Sequence, residues 1–324
     1  MNIYFCGLNE RMKTYNSIEE FAKAGIKKTV VTTGTFDGVH LGHKAILNKV
    51  QEIAKAKKTE NVLLTFNPHP RTVLFPEKDD LRFLSSMSEK AELLEKAGID
   101  HLIIHPFTKE LSLVSALDYV KDILVGKLHV QTLVIGHDHH FGHKRTGSIK
   151  NLKEWGPGLG FEVEEITPFR SVEDDTTISS SKIRRAIAEG DMNTATEYLG
   201  YIYSLRAKVV KGLQIGGTKL GYPTANLEVL DGSKVMPEDG IYAVYVDYEG
   251  KRLKGMLSVG LNPTVEGKGR SMEVHMFDFK ERIYDKHLTV LFFRKIRDEE
   301  KFRNMQTLKR QMDNDKEVAL KLLA

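Results

Sequence analysis

Short apolar runs alternate with helical patterns through the first half of this chain. Runs such as TVVTT at 29–33, VLLTF at 62–66 and TLVIG at 132–136 are each followed by a stretch with helical character. Continuous apolar strands joined by helices are typical of a parallel sheet that is covered on both faces. The alternation therefore predicts an α/β domain, in which ligands bind beyond the carboxyl ends of the strands.

From about residue 201 the pattern changes to two-residue alternation rich in β-branched and aromatic residues. The clearest segments are GIYAVYVDYEGKRLKGMLSVG at 240–260, SMEVHMFDF at 271–279 and HLTVLFFRKIR at 287–297. Alternating strands separated by glycine-containing turns predict an antiparallel sheet or a small barrel. Because 324 residues exceed what one core usually serves, we expect two domains, with the boundary within 185–203.

The carboxyl-terminal segment predicts one long helix, over about 298–323. Its apolar residues recur at helical spacing, namely Phe302, Met305, Leu308 and Met312. We expect this helix to pack over the mouth of the barrel.

Composition narrows the class of protein. Apolar residues make up 41% and charged residues 28%, which is ordinary for a globular protein, and the net charge of +4 is too small to indicate nucleic acid or membrane as partner. The single cysteine, Cys6, excludes an internal disulfide and agrees with a reducing cytoplasm. The longest apolar runs, such as VLFF at 290–293, are far shorter than the ~20 residues that span a bilayer.

The stretch TGTFDGVHLGH at 33–43 directly follows the first long apolar run and precedes an amphipathic helix. The amino end of a helix favours anions, and Gly42 would let phosphate oxygens approach the backbone. His40 and His43, three residues apart, would share one face of the first turn and donate to phosphoryl oxygens. The alternative is that Asp37 caps the helix and both histidines are merely solvated; the motif alone does not decide between them.

Three further polar segments lie at other expected strand ends, namely TFNPHPR at 65–71, GHDHHFGHKRTG at 136–147 and TTISSSKIRR at 176–185. On its own, the first is also explained by a proline-stiffened turn. The histidines of the second, at 137, 139, 140 and 143, would alternatively bind a transition metal, which the absence of cysteine ligands makes the weaker interpretation.

The segment KGLQIGGTKLGYPTANL at 211–227 is glycine-rich and would wrap phosphates with backbone amides. It is not a Walker A loop, since Thr218 precedes Lys219 and no helix is predicted after it. Spacing alone favours a glycine-rich barrel turn. Similarly, Glu273 on its own is explained by an outward-facing strand position, with Met272 and Val274 pointing inward.

Together these motifs resemble the bifunctional bacterial riboflavin kinase and FAD synthetase (FMN adenylyltransferase) family, from the opening motif to the closing helix. The resemblance implies a Rossmann-like nucleotidyltransferase domain, 1–184, followed by a six-stranded split-barrel kinase domain, 185–324. It implies that His40, His43 and Arg184 contact ATP phosphates, Arg184 from a flexible serine-rich loop. It further implies that Glu273 is the kinase base, and that Thr224 and Asn226 hold Mg²⁺ in the PTAN motif.

The same resemblance implies a set of substrate- and nucleotide-binding residues. In the first domain these are Gly34, Phe36, Asp37, Gly38, Gly42, Asn67, His69, Asp138, Phe141, Gly142, Arg145, Ser179, Ser180 and Ser181. In the second they are Gly212, Gly217, Lys219, Gly221, Tyr222 and Pro223. The chain departs from the family in two places: GHDHHFG replaces the usual GxDFxFG, with His139 at the phenylalanine, and Ser181 stands where threonine is common.

The expected function is therefore a two-step synthesis, in which ATP phosphorylates riboflavin to FMN and a second ATP adenylylates FMN to FAD. The expected partners are riboflavin, FMN and ATP, without nucleic acid, membrane or an obligate protein partner. Two alternatives stay open. The GHDHHFG departure is compatible with a riboflavin kinase whose adenylyltransferase half is weak or inactive, and the fold is compatible with a non-catalytic flavin- or nucleotide-binding regulator.

Overall fold

A computed structural model describes residues 12–77, 81–171, 175–211, 221–261 and 270–324. The chain divides into two compact units. The first extends to Ile178, apart from Arg82–Ser86, and the second combines Arg82–Ser86 with Ser179–Ala324. The division at Ile178 falls a few residues before the predicted boundary at 184.

The first unit is a parallel sheet with helices on both faces. Its strands are β1 (Lys13–Tyr15), β2 (Thr29–Thr33), β3 (Glu60–Phe66), β4 (His101–His105), β5 (Val130–Gly136) and β6 (Glu162–Ile166), in the order β1-β4-β3-β2-β5-β6. The helices are α1 (Ile18–Ala22), α2 (Leu41–Lys57), α3 (Pro70–Leu74), α4 (Met87–Lys96), α5 (Lys109–Ser112), α6 (Ala116–Asp118) and α7 (Ile149–Leu159). A π-helical segment, Tyr119–Val125, continues α6, and a 3₁₀ turn spans His143–Arg145.

Alternate residues of the central strands supply two separate apolar layers. Val31 and Leu64 belong to the layer on one side, and Leu63 and Leu102 to the layer on the other. All five residues of β2 are buried. This confirms the prediction of a parallel sheet covered on both faces, because only a central strand packed against helices on each side needs apolar residues at consecutive positions.

The second unit is a closed barrel. Its strands are β7 (Ser204–Val210), β8 (Ala225–Val229), β9 (Gly240–Tyr248), β10 (Lys251–Leu261), β11 (Arg270–Met276) and β12 (His287–Arg297), arranged as β10-β11-β8-β7-β12-β9. Helices α8 (Ser180–Ala188) and α9 (Met192–Leu199) precede it, and α10 (Met305–Leu322) follows it. The predicted fold class, a Rossmann-like unit followed by a mostly β barrel with a final helix, is confirmed.

The final helix differs from its prediction in extent and position. It begins at Met305 rather than near 298, because the Asn304 side chain accepts a hydrogen bond from the Thr307 backbone and caps the helix there. It packs on the outer wall formed by β9, β10 and β12, where Ala243, Met256 and Ala319 share one apolar cluster. The expected position over the barrel mouth is therefore wrong.

Candidate active sites

The strand order of the first unit reverses at β2, the strand that leads into the opening motif. The chain runs from β2 through α2 to β3 on one side of β2, whereas β5 pairs with the other side of β2. At such a reversal the loops after adjacent strands diverge and leave space for a ligand. The two loops that meet this condition are TGTFDGVHLGH, after β2, and GHDHHFG, after β5.

His40 is the residue that caps α2. Its Nδ1 accepts the backbone N–H of His43 at 3.3 Å, and its side chain is 5% exposed. The alternative interpretation, in which Asp37 caps the helix, is wrong, because the helix begins at Leu41 and its N-cap position falls on His40. Since Nδ1 accepts a hydrogen bond, the neutral ring of His40 carries its proton on Nε2, which makes Nε2 a donor.

The rings of His40 and His43 stack with their centroids 3.6 Å apart. Burial lowers the pKa of His43 well below its usual 6.5, and coupling to the adjacent His40 ring and to the buried Lys90, which disfavours a further positive charge, lowers this pKa further. The Nδ1 atom of His43 is buried and has no hydrogen-bond partner. Burying a polar atom without a hydrogen-bond partner costs free energy. His43 Nδ1 is therefore well suited to form a hydrogen bond with a ligand.

Gly42 supports the His40 ring rather than leaving open space for phosphate. A Cβ built at Gly42 would lie 3.2 Å from both Cε1 and Nδ1 of His40. We expected Gly42 to let phosphate oxygens approach the backbone. In the structure, the space that a Cβ at Gly42 would occupy is instead bordered by the imidazole of His40.

Gly42→Ala is expected to separate stability from activity. Alanine favours a helix over glycine by about 1 kcal/mol, which offsets the cost of disturbing the His40 cap, so the first unit should unfold at about the wild-type denaturant concentration. The added methyl group displaces His40, so FAD formation from FMN should fall by about tenfold or more. Fluorescence of Trp155, the only tryptophan in the chain, reports unfolding of the first unit. Unchanged FAD formation would contradict the role of Gly42 in placing His40.

The other residues of the opening motif are largely buried. Phe36 is 3% exposed, belongs to an apolar cluster with Val39 and Leu47, and has its ring 4.8 Å from that of His43. Asp37 is 1% exposed. Gly38 has a φ of +78°, in the region that favours glycine, and the Gly34 backbone N–H donates to the Leu64 carbonyl. Phe36 thus packs between the His43 ring and the apolar core.

The segment after β3 places Asn67 on the surface and His69 at the start of α3. The Asn67 backbone donates to the His105 carbonyl, while its side chain is exposed. The His69 Nδ1 accepts the backbone N–H of Arg71 at 3.1 Å. Both residues therefore follow the carboxyl end of β3, as predicted.

The loop after β5 is held by a short bridge between Phe141 and Gly147. Gly142 has a φ of +71°, and a Cβ there would lie 2.6 Å from the Ala116 backbone. Asp138 and Arg145 are exposed, and Phe141 packs at the edge of the core. His139 stacks on Phe141 with centroids 5.8 Å apart, so it occupies an aromatic position even though it is not phenylalanine.

The described residues contain no group of three or more His, Cys, Asp or Glu side chains able to hold a metal ion. The histidines of this loop have other contacts: the rings of His140 and His143 hydrogen-bond to the carbonyls of Asp138 and Ser112. A transition-metal site in this loop is therefore not supported.

We expect His139→Phe to protect the first unit against acid. Burial lowers the pKa of His139 from its usual 6.5 to about 4. Between these values the unfolded chain binds a proton that the folded chain does not, so stability falls as the pH drops through this window, by no more than about 3 kcal/mol. Trp155 unfolding curves at pH 7 and near pH 4.5 should show a smaller loss for His139→Phe than for the wild type. An equal loss would contradict a neutral, half-buried His139.

The serine-rich segment is a helix rather than a loop. Ser179 caps α8 by accepting the backbone N–H of Lys182, and Ile183, Ala186 and Ile187 form its buried face. Arg184 lies one turn into the helix and its guanidinium is 3.4 Å from the Ser181 hydroxyl. The flexible loop that the resemblance implied for 178–184 is therefore wrong from Ser180 onward. Ser179, Ser180, Ser181 and Arg184 all belong to the second unit.

In the barrel, strand register brings the PTAN segment beside Glu273. Asn226 of β8 pairs directly with Glu273 of β11. Paired residues of antiparallel strands point to the same face, and Thr224 is two residues before Asn226, so all three side chains share one face. The Thr224 hydroxyl donates to Glu273 Oε2 at 3.2 Å. Met272 and Val274 are buried on the opposite, inner face.

That outer face is a wall of a cavity of about 350 Å³ in the second unit. Its polar lining includes Thr224, Glu273 and His275, and its apolar lining includes Ile241, Met256, Phe302, Leu308 and Met312. Volume and lining are those of a small-molecule site, with an apolar body and a few polar groups that fix orientation. Glu273 can therefore be both an outward-facing strand residue and a catalytic base, because the outer side of β11 faces a cavity.

Sequence reasoning missed a buried ion pair at this cavity. The Arg297 guanidinium donates to both carboxylate oxygens of Asp315, from Nε at 2.9 Å and from Nη2 at 2.8 Å. Asp315 is 2% exposed and also accepts a hydrogen bond from Gln311. The pair links the end of β12 to α10. The one sequence feature that points to this pair is the four-residue spacing of Gln311 and Asp315 on a helix. That spacing is a weak indication of a buried ion pair, because such pairs are common on exposed helix faces.

Asp315→Ala is expected to destabilise the second unit by up to about 3 kcal/mol, because the mostly buried Arg297 guanidinium loses its carboxylate partner and keeps only the Asp298 carbonyl. The double variant Arg297→Met, Asp315→Leu should recover most of this loss. Circular dichroism can follow the unfolding transition that Trp155 does not report. Glu317→Ala, an exposed position on the same helix, is the control. Equal stability of Asp315→Ala and Glu317→Ala would contradict this role for the ion pair.

The remaining predicted residues of the kinase site fall in two groups. Gly212, Gly217 and Lys219 lie outside the described residues. Gly221, at a φ of +76°, leads into Tyr222 and Pro223. The Tyr222 hydroxyl donates to Asp313 of α10, and burial is the main cause that raises the pKa of this tyrosine.

Comparison with known proteins agrees with this geometry. A family model described as FAD synthetase matches residues 22–182, and one described as riboflavin kinase matches residues 199–323. The curated "Bifunctional riboflavin kinase/FMN adenylyltransferase" of Listeria monocytogenes is 35% identical, covering 89% of this chain and 90% of the relative. The protein of the same name in Escherichia coli K12 is 32% identical, covering 95% and 97%.

A crystal structure titled "Macrolide-efflux Protein from Streptococcus pneumoniae" aligns with a TM-score of 0.86 and 30% identity, covering 95% of this chain and 98% of that one. Within the described part of the chain, every helix is too short or too polar to cross a membrane. The two family models account for the two units in order, and the curated relatives span nearly the whole chain. The chain therefore belongs to the bifunctional riboflavin kinase/FMN adenylyltransferase family.

Proposed function

We propose that the barrel unit phosphorylates riboflavin to FMN and that the α/β unit adenylylates FMN to FAD, with the division of labour 1–184 and 185–324. The observation that carries the kinase assignment is that Thr224 and Glu273 line a cavity of about 350 Å³ and that Asn226 pairs with Glu273 across the strands. The apolar part of that cavity suits a flat aromatic ring system, and its polar wall suits a hydroxylated chain.

In the kinase step, Glu273 accepts the proton of the primary ribityl hydroxyl. The hydroxyl oxygen then forms a bond to the γ-phosphorus of ATP, while the bond from that phosphorus to the β-γ bridging oxygen breaks and ADP leaves. An alcohol is a poor nucleophile until it loses its proton, so a positioned carboxylate has a definite task here. The Thr224 hydroxyl, which donates to Glu273 Oε2, holds the carboxylate oxygen in place.

The residues of this wall also fit Mg²⁺. Thr224 and Asn226 offer neutral oxygen ligands on one face, and Mg²⁺ in nucleotide sites usually takes only one or two protein oxygens together with phosphate oxygens and water. We propose that Thr224 and Asn226 hold Mg²⁺ bound to ATP, which would neutralise charge on the phosphates. The carboxylate of Glu273 remains available as the base.

In the adenylyl transfer, a phosphate oxygen of FMN forms a bond to the α-phosphorus of ATP, and the bond to the pyrophosphate oxygen breaks. The attacking phosphate is already ionised at neutral pH, so this step requires no base. It requires donors aligned with the phosphates. We assign this task to the imidazoles of His40 and His43, and to Arg184 on the basis of its sequence motif.

Incubation with riboflavin, ATP and Mg²⁺, followed by separation of the flavins, tests the assignment. FAD is the expected product. FMN alone would indicate a kinase with an inactive first unit, and unchanged riboflavin would contradict both activities. We place the enzyme in the cytoplasm, because a single cysteine suits a reducing compartment and ATP is abundant there.

A further inference from the structure

The barrel contains a histidine, His275, that neither proposed reaction uses. It lies two residues after Glu273 on β11, so both side chains are on the outer face of the strand, and both line the cavity. His275 is 8% exposed. Its Nδ1 is 2.7 Å from the carbonyl oxygen of Pro223. Because a carbonyl only accepts, Nδ1 carries the proton and donates it.

This bond lies where the strand ladder stops. The register between β8 and β11 ends at Ala225 paired with Val274, so the next residues upstream, Thr224 and Pro223, have no partner in that ladder. Proline also lacks a backbone N–H with which to bond a neighbour. The His275 ring additionally contacts the Tyr222 ring edge-on, with centroids 5.0 Å apart. His275 thus holds both residues that precede Thr224.

We infer that His275 is a positioning residue for riboflavin phosphorylation: its hydrogen bond to Pro223 fixes Thr224 against Glu273. The inference rests on the proposed kinase function. The chain of contacts runs from His275 Nδ1 to the Pro223 carbonyl, through one peptide unit to Thr224, and from the Thr224 hydroxyl to Glu273 Oε2 at 3.2 Å. A displacement of about 1 Å at a catalytic group can cost about 10²-fold in rate. The effect of losing His275 should therefore appear in kcat.

Three substitutions separate the hydrogen bond from the ring. His275→Asn keeps a donor near the Nδ1 position but removes the ring. His275→Phe keeps a ring without a donor, and His275→Gln moves the donor to about the Nε2 position. We expect the Phe and Gln variants to form FMN about 10-fold to 10²-fold more slowly, and the Asn variant to stay within a few-fold of the wild type.

Two measurements accompany kcat. FAD formation from supplied FMN should be unchanged in all three variants, which shows an intact first unit. Thermal unfolding of the second unit without ligand should verify that each variant folds, and the added stability from Mg²⁺ and ADP should shrink in the Phe variant but persist in the Asn variant.

The outcomes are distinct. Wild-type kcat in a folded His275→Phe variant, or equal losses in the Asn and Phe variants, would overturn the positioning role. A wild-type protein that forms no FMN would instead overturn the proposed kinase function, and the role of His275 with it. Loss in Phe and Gln with rescue by Asn supports the inference.

Discussion

Glu273→Gln should reduce FMN formation from riboflavin by about 10²-fold to 10⁴-fold, because the amide cannot accept the ribityl proton. The amide has nearly the same shape as the carboxylate and still accepts the Thr224 hydrogen bond through its oxygen, so the fold and riboflavin binding should change little. The measurement is the initial rate of FMN formation at saturating riboflavin and ATP.

The same preparation provides the internal control. FAD formation from supplied FMN should be unaffected, since that step is assigned to His40, His43 and Arg184 and not to Glu273. Glu281→Gln removes an exposed carboxylate of the same unit and should leave both rates unchanged. If Glu273→Gln lowers both activities together, the division of labour between the units is wrong.

His43→Ala should have the opposite pattern, with FAD formation reduced by about 10²-fold or more and FMN formation unchanged. One preorganised donor to a transferring phosphate typically contributes a factor of this size. His43 is the better choice than His40, because His40 caps α2 and its loss would also destabilise the helix. The rate of FAD formation at saturating FMN and ATP is the quantity to compare.

Asn48→Ala is the matched control, since Asn48 is exposed on the same helix. Trp155 unfolding curves should be similar for both variants. A His43→Ala protein that retains wild-type FAD formation would mean that the stacked imidazoles have a structural task only.

The sequence was informative where one local pattern determined the structure. TVVTT predicted β2 with its observed bounds, because a strand buried on both faces favours an uninterrupted run of uncharged, β-branched residues. The motifs predicted the family, which the family models and the curated relatives confirm. The individual roles of His40, His43, Arg184, Thr224, Asn226 and Glu273 remain predictions.

Features that depend on contacts distant in sequence were not predictable. The Arg297 and Asp315 pair joins a strand to a helix 18 residues later, and His275 bonds a carbonyl 52 residues earlier. Every residue has a backbone carbonyl, so the sequence does not show that the Pro223 carbonyl accepts this bond. From the sequence, His275 is therefore indistinguishable from any other buried histidine. The start of α10 was misplaced for a different reason: Phe302 fits the helical spacing, yet it stacks over Arg297 before the helix begins.

The short segment Arg82–Ser86 has a consequence for dissecting the enzyme. Although it lies within the sequence of the first unit, it belongs to the second, where the Phe83 backbone exchanges hydrogen bonds with Ser233 and Val235. A single cut at Ile178 would therefore produce a carboxyl-terminal fragment that lacks part of its own framework. Leu84, 2% exposed in the intact chain, would be left on the amino-terminal fragment without its native surroundings. The two activities are encoded in tandem, but they are not cleanly separable modules.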